Sequence, residues 1–560
     1  MAEQTPPAGP VGKARPDSIS SVDPPGYKWK VLSTVLFGIF MVILDMTVVN
    51  VAFQTIRLEF GGDLNTTQWV ISIYVLMLGI TTPLAGFLAD RFGSKKIYLS
   101  GLGLFALGSL MCGLSPNLNL LITARAIQGI GGGLAMPLGV VLLLQAFPVR
   151  EHGTALGIFG IAALVAPAIG PILGGWLADQ NLWRVIFFIN PPIGLLGVIL
   201  GLRFLRERER QVKPRFDLGG VITEVIGFGA ILYAASIAAN LGWTSRTTLL
   251  WFGIGVIGLI LFGVVELFVA KSPLLDLRLF GNRIFRNASL LGYVSTIALF
   301  GAEFLLPIYL QALRGRTALQ TGFILLPMAI TGGIFVTLSG RLYDKVGPRP
   351  LMVVGFSLLM INTWQLSQIQ ADTTIGWILF LLMLRGVALG LTVQTTLVTA
   401  LSVVPRRDLA RGSSLINASR LVVQSIGVAL LATVLASTIS PEVQAQQNQF
   451  EGKQATNIHP IGLCETAPVS KNRSAVGSGE TDQLAPAALQ PAATTQVSGG
   501  SIIERACREN VAGFENAYKV TFFAALIALI LGSMLPGWPG KWADARKGTY
   551  LFQRTENTLL

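Results

Sequence analysis

The stretch Gly86-Phe-Leu-Ala-Asp90-Arg91-Phe-Gly93-Ser-Lys95-Lys96 decides how this chain is built, because a second version of it returns much later. Gly340-Arg-Leu-Tyr-Asp344-Lys345-Val-Gly347 repeats glycine, acid, base and glycine at the same spacing. Each copy ends an apolar run and leads into the next through a short basic turn. A second correspondence follows each of them: Leu121-Ile-Thr-Ala-Arg125 and Leu381-Leu-Met-Leu-Arg385. The chain therefore reads as two related halves.

A bilayer-spanning helix needs about 20 mainly apolar residues. That window gives fourteen candidate spans, near 31–53, 68–89, 97–115, 118–142, 154–177, 185–205, 219–239, 248–270, 288–311, 318–340, 351–369, 375–400, 413–436 and 517–536. Composition agrees: 52% of the 560 residues are hydrophobic, only 13% are charged, and mean hydropathy is +0.62. Soluble domains carry about a quarter charged residues, so water is not the main solvent here. The expected fold class is an all-α integral membrane protein of two six-helix bundles plus two inserted central helices.

Charge sets the expected topology. Basic clusters such as Arg91, Lys95 and Lys96, Arg203 to Arg215, Arg341 to Arg349 and Arg406 to Arg411 fall on one side of the alternation. The short loops of the other side hold only Arg57, Arg184, Arg246, Arg314 and Arg316. The positive-inside rule then places both termini in the cytoplasm, and the expected location is the plasma membrane. The same scattering explains the net charge of +13 without nucleic-acid binding, which would want one basic face. The expected domains are a disordered tail (1–28), an N-terminal bundle (29–205), a linker with two extra spans (206–286) and a C-terminal bundle (287–540). The last is interrupted by a polar, disordered outer loop (437–515), and a second cytoplasmic tail closes the chain (541–560).

Few polar groups lie inside the spans. Asp45 sits roughly 20 Å from the inner end of the first, at ~1.5 Å per residue. Intramembrane carboxylates usually face a cavity and bind protons, ions or substrate, so Asp45 is the leading proton site, with a structural hydrogen bond as the bland alternative. Arg125 lies at comparable depth in the fourth span; a guanidinium cannot release its proton, so it is expected to act on a neighbouring acid or hold a fixed ion pair. Arg385 occupies the corresponding place in the second half, and Glu303 in the ninth span is a second proton or substrate candidate. Glu224 and Glu266 are placed near the inner surface, where snorkelling keeps them wet, and His152 and His459 fall in loops. The glycine loops read as gates: Gly86, Asp90, Arg91 and Gly93, then Gly340, Asp344, Lys345 and Gly347. Gly129 to Gly133 lie inside an apolar helix and suit packing rather than a dinucleotide fingerprint. Cys112 reads as a packing residue; Cys464 and Cys507 can pair only in an oxidising compartment.

Four of these segments resemble motifs of the major facilitator superfamily. The Gly86 loop is similar to its signature, with Ser94 where the pattern usually has Arg, and Leu121–Gly131 is similar to its fourth-helix motif. Ala166-Pro167-Ala-Ile-Gly170-Pro171-Ile-Leu-Gly174-Gly175 resembles the fifth-helix motif of antiporters. Leu44-Asp45-Met-Thr47-Val-Val-Asn50-Val-Ala52 resembles the first-helix motif of the fourteen-helix drug:proton antiporters (the EmrB/QacA-like branch). That pattern usually ends in Leu-Pro, whereas Phe53-Gln54 stands here, so the outer end of this helix is expected to bend differently. The resemblance implies proton-coupled efflux of drugs or amphipathic or cationic small molecules by alternating access, with Asp45 and Arg125 in proton coupling and Gly170, Pro171, Gly174 and Gly175 in the exchange motif. It implies no cofactor and no metal, only a proton gradient, and a monomer whose partners are the bilayer, protons and a small-molecule substrate; a periplasmic adaptor protein is a further partner the family admits. Export of one metabolite or siderophore, and proton symport, are the alternatives. No P-loop, charge ring or cluster of catalytic His, Cys and carboxylates points to an ATPase, channel or enzyme.

Overall fold

The structure, a computed structural model, describes residues 26–62, 64–207, 217–270, 272–440, 464 and 493–537. The expectations for the first tail up to residue 25, for His459, for most of the outer loop and for residues 541–560 lie outside the described residues. Among the described residues there is no strand, and the chain is helical throughout. The first half comprises α1 (Tyr27–Phe60), α2 (Leu64–Phe92), α3 (Ser94–Gly113), α4 (Leu118–Ala146), α5 (His152–Asp179), α6 (Trp183–Phe188) and α7 (Asn190–Phe204). Two central helices follow, α8 (Leu218–Leu241) and α9 (Arg246–Val264). The second half comprises α10 (Arg283–Ile308), α11 (Ala318–Val346), α12 (Pro348–Leu366), α13 (Ile375–Leu401), α14 (Leu409–Ser437) and α15 (Ala493–Ser533).

Twelve helical stretches among the described residues are long and apolar enough to cross a membrane, from Tyr27–Phe53 to Glu504–Ser533. The expected windows at 288–311 and 351–369 are helical, as α10 and α12, but are not among those twelve. α12 is 19 residues long with Asn362, Thr363 and Gln365 near its end. Large apolar side chains on α7 and α9, among them Leu195, Ile199, Ile257 and Ile260, are exposed in the isolated chain, as a lipid-facing surface requires.

The repeated turn has a physical cause. Gly93 and Gly347, the last glycines of the two copies, have φ of +102° and +83°. That region is open to glycine at no steric cost, so each copy can stop one helix and start the next within a residue or two. The sixth apolar run is broken between α6 and α7 at Ile189, because Pro191 and Pro192 supply no N–H to the preceding turn. α1 has no such interruption: with Phe53-Gln54 in place of Leu-Pro it continues as helix to Phe60 and ends on Gly61 in the left-handed region.

Packing joins the halves at both bundles' inner faces. α5 lies along α11 and α2 along α14, while α8 packs against α2, α14 and α9. Several expectations change. α15 begins at Ala493, so the last part of the supposed outer loop is helix continuous with the final span. His152 is the first residue of α5 rather than a loop residue, buried with its Nε2 3.0 Å from the Leu144 carbonyl oxygen. Glu224 and Glu266 are not wet: they are 0% and 2% exposed, because α8, α9 and the segment before α10 close over them.

Cys464 and Cys507 form a disulfide, and the Cys464 N–H donates to the Leu313 carbonyl oxygen at 3.1 Å. The bond ties residue 464 to the start of the last span across 43 residues. Closing a loop of that length is worth about 4 kcal/mol in the chain-entropy account. A Cys464→Ala/Cys507→Ala variant is therefore expected to lose thermal stability in detergent by up to that amount, and wild type to lose as much on reduction. Identical melting with and without reductant would remove the disulfide from the stability of this fold.

Candidate functional site

Asp45 is not a lone carboxylate. It lies 1% exposed on α1, and donors reach it from two other helices. Arg125 Nη1 of α4 donates to Asp45 Oδ2 at 2.5 Å, while Gln128 Nε2 of α4 and Asn190 Nδ2 of α7 each donate to Oδ1 at 2.9 Å. Arg125, also 1% exposed, places Nη1 2.7 Å from Gln128 Oε1, and its Nε donates to the Val70 carbonyl oxygen at 3.0 Å. Its guanidinium carbon stands 4.1 Å from the centre of the Tyr74 ring, a cation–π contact between two buried side chains. Asn190 Nδ2 also donates to Ser109 Oγ at 3.0 Å, and Ser109 donates to the Phe187 carbonyl oxygen at 2.9 Å. Six helices thus converge on one ion pair.

The local sequence explains this convergence. Arg125 and Gln128 are three apart on one helix and share a face. Asn190 stands at the helix break that Pro191 and Pro192 impose, where its amide turns inward to Asp45 and Ser109. Sequence reasoning finds Asp45 and Arg125 but does not reach Asn190, Tyr74 or Ser109, and Gln128 falls within the fourth-helix motif without a role of its own. A buried amide before two prolines in an apolar run is the one signal that marks Asn190.

The motif glycines bring α5 to the same place. A Cβ on Gly170 would stand 2.1 Å from Thr47 Oγ1, and one on Gly174 would stand 2.9 Å from the Val48 carbonyl oxygen. α5 thus touches α1 within a turn of Asp45. One on Gly175 would meet the Leu319 backbone nitrogen of α11 at 2.8 Å, and Pro171 lies inside the helix between these contacts.

The two glycine loops each cross to the other half, by different chemistry. Arg411 Nε at the start of α14 donates to Asp90 Oδ2 at 2.7 Å. A Cβ on Gly86 would stand 2.8 Å from the Ala410 carbonyl oxygen, so α2 and α14 meet backbone to backbone there. In the second copy Asp344 faces the N-terminus of α5: Gly153 N–H and Thr154 N–H donate to it at 3.1 Å each, and Thr154 Oγ1 at 3.0 Å. Gly340 and Gly153 abut, since a Cβ on either would stand 2.3–2.4 Å from the other's carbonyl oxygen. Lys345 is exposed in the last turn of α11, and Arg91 lies over the Phe92 ring at 5.5 Å.

Arg385, buried on α13, donates from Nη2 to the carbonyl oxygens of Ala298 and Leu299 at 2.9 and 2.8 Å and from Nη1 to Asn362 Oδ1 at 3.3 Å. It belongs to the second half and does not join the Asp45 cluster. Glu303 lies in α10, and its side chain falls outside the described residues.

Residues 35–428 match the model of a family described as Major Facilitator Superfamily. An uncharacterized MFS-type transporter of Bacillus subtilis, YhcA, is 36% identical over 403 residues, covering 72% of this chain and 76% of its own. The multidrug resistance protein Stp of Mycobacterium tuberculosis is 34% identical over 409 residues, covering 73% and 76%. Among solved structures, the proton:xylose symporter XylE bound to 6-bromo-6-deoxy-D-glucose superposes with a TM-score of 0.54 at 12% identity, over 91% of this chain and 96% of that one; this likeness concerns the fold alone.

Proposed function

From the premise that the chain belongs to the major facilitator superfamily, and is therefore a multi-pass membrane transporter and not an enzyme, we propose that it exports amphipathic or cationic small molecules in exchange for protons. The observation that carries the reading is the buried Asp45–Arg125 pair. A carboxylate and a guanidinium in contact form a neutral unit that the membrane interior tolerates. Proton arrival at Asp45 destroys that neutrality and frees Arg125 from its partner. Such a switch needs a cluster that several helices share, and α1, α2, α3, α4, α6 and α7 all contribute. A relative named for multidrug resistance supports drugs as the substrate class.

In this reading α10 and α12 cross the bilayer with the other twelve, giving the fourteen-helix drug:proton antiporter branch with both termini cytoplasmic. The halves 29–205 and 287–540 rock about a central site, and the Asp90–Arg411 and Asp344–α5 contacts hold the cytoplasmic side shut. The plasma membrane supplies the proton gradient, and the monomer is the working unit.

Everted vesicles carrying the protein and energised with a pH gradient provide the test, with ethidium as the amphipathic cation. Ethidium is expected to dissipate part of the gradient and to accumulate inside, and both effects should vanish when the gradient is collapsed first. Accumulation that survives collapse of the gradient would overturn proton coupling. Movement in the opposite direction would establish symport instead.

A further inference from the structure

Glu224 is a buried acid that the site above leaves unused, and its surroundings are unusual. It is 0% exposed on α8, and neither carboxyl oxygen has a hydrogen-bond partner among the described residues. A turn earlier on the same face lies Gly220, where a Cβ would stand 2.9 Å from Glu266 Oε1 and 2.5 Å from Asp217 Oδ2. Three carboxyl groups therefore share one side of α8. Glu266 sits in the π-helical turn Val265–Val269 that ends α9, where Leu274 N–H donates to Oε1 at 3.1 Å and Oε2 has no partner among the described residues. Further along, α8 and α9 meet backbone to backbone: a Cβ on Gly227 would stand 2.8 Å from the Leu259 nitrogen, and one on Gly258 2.8 Å from Gly227 Cα.

An ionised carboxylate sealed in such a place without donors costs several kcal/mol, and neutralisation by a proton removes the cost. Among the described residues, the charged groups around it offer no direct counter-ion. Glu266 and Asp217 are both acids. The cation whose field reaches Glu266 is Arg411 of α14, already engaged by Asp90 of α2, with Asp408 before it and Asp276 in the segment leading to α10.

We propose that Glu224 and Glu266, brought face to face by the two central helices, form a second proton-binding site that biases the Asp90–Arg411 contact through Arg411. With the proton bound, one negative charge or none competes with Asp90 for Arg411. When it leaves, the added carboxylate charge draws Arg411 from Asp90 and weakens the hold of α14 on α2. The two extra helices thereby act as a proton-sensitive brace on the glycine-loop closure. This goes beyond the exchange reading and needs neither its direction nor its substrate.

Infrared difference spectroscopy of the purified protein, comparing acid with alkaline pH, reads the site directly. Wild type is expected to show a protonated-carboxyl band that is lost on alkalinisation, and Glu224→Gln to lack it while Asp45→Asn retains it. A Ser414→Cys substitution, buried beside Gly86, reports the closure: its alkylation rate, divided by that of a fully exposed cysteine at the same pH to remove the rise in thiolate, should increase at least about tenfold between the two pH values in the otherwise wild-type protein, equivalent to ~1.4 kcal/mol, and show no increase when Glu224→Gln is added. Identical spectra for wild type and Glu224→Gln overturn the proton site, as does a Glu224 band that ignores pH. A responsive band without any change at Ser414 overturns the brace. Loss of ethidium exchange in the vesicles leaves all of these readouts intact, so the two ideas fail separately.

Discussion

Asp45→Asn is expected to abolish substrate-driven proton movement in energised vesicles and, at the same time, to destabilise the first bundle by about 3–5 kcal/mol. The substitution preserves shape and removes the proton-binding group, so the coupling defect follows from chemistry alone. The stability defect follows from the partners. Asp45 accepts from Arg125 on one oxygen and from Gln128 and Asn190 on the other. An amide has only one oxygen, so at least one donor must face its NH2. Arg125 also remains buried, keeping Gln128 Oε1 and the Val70 carbonyl but no counter-charge. Adding Arg125→Gln should recover much of the stability and none of the coupling, because no residue then binds the proton. Detergent melting curves and pH-gradient dissipation on the same three proteins separate the effects. Full proton coupling in Asp45→Asn would sink the assignment.

Gly340→Ala should open the end closed by the glycine loops. The new Cβ would stand 2.3 Å from the Gly153 carbonyl oxygen and 3.1 Å from Gly157 Cα, both backbone-bound and unable to step aside. α5 and α11 must separate by about 1 Å, an overpacking strain of roughly 1–3 kcal/mol. The strain is felt only where the helices touch, so it acts almost entirely on the closed state and lowers its population roughly ten- to hundredfold. Asp344 would lose its grip on the Gly153 and Thr154 N–H groups in the same movement. A cysteine at Ser414 is expected to react at least about tenfold faster in this variant, and ethidium export should fall with it. Gly103→Ala is the control, because nothing lies within 4 Å of its Cβ position. Unchanged reactivity at Ser414 would show that the Gly340–Gly153 contact does not govern closure.

Much of the fold was legible because the bilayer imposes its own grammar. Apolar length located the helices, and basic loops gave the alternation. In the α12 window Asn362, Thr363 and Gln365 dilute the apolar signal. The polar composition of 437–515 suggested an unbroken loop, yet α15 reaches back to Ala493. Glu224 and Glu266 were misjudged for a related reason: depth along a helix can be counted, but not what covers its side.

The sequence by itself determined the all-helical membrane architecture, the duplication, and the two residues on which charge in the first bundle centres. Those follow from local quantities: span length, loop charge and the expense of an intramembrane carboxylate. Tertiary structure alone decided what the residues do to one another. Asp90 and Asp344 occupy equivalent places in the repeat, yet one pairs with the Arg411 side chain and the other with the backbone N–H groups that open α5. Asp45 reads as solitary along the chain and proves to be held by α4 and α7. Spacing fixes which face of a helix a residue occupies; only the packing of helices distant in sequence fixes what that face meets.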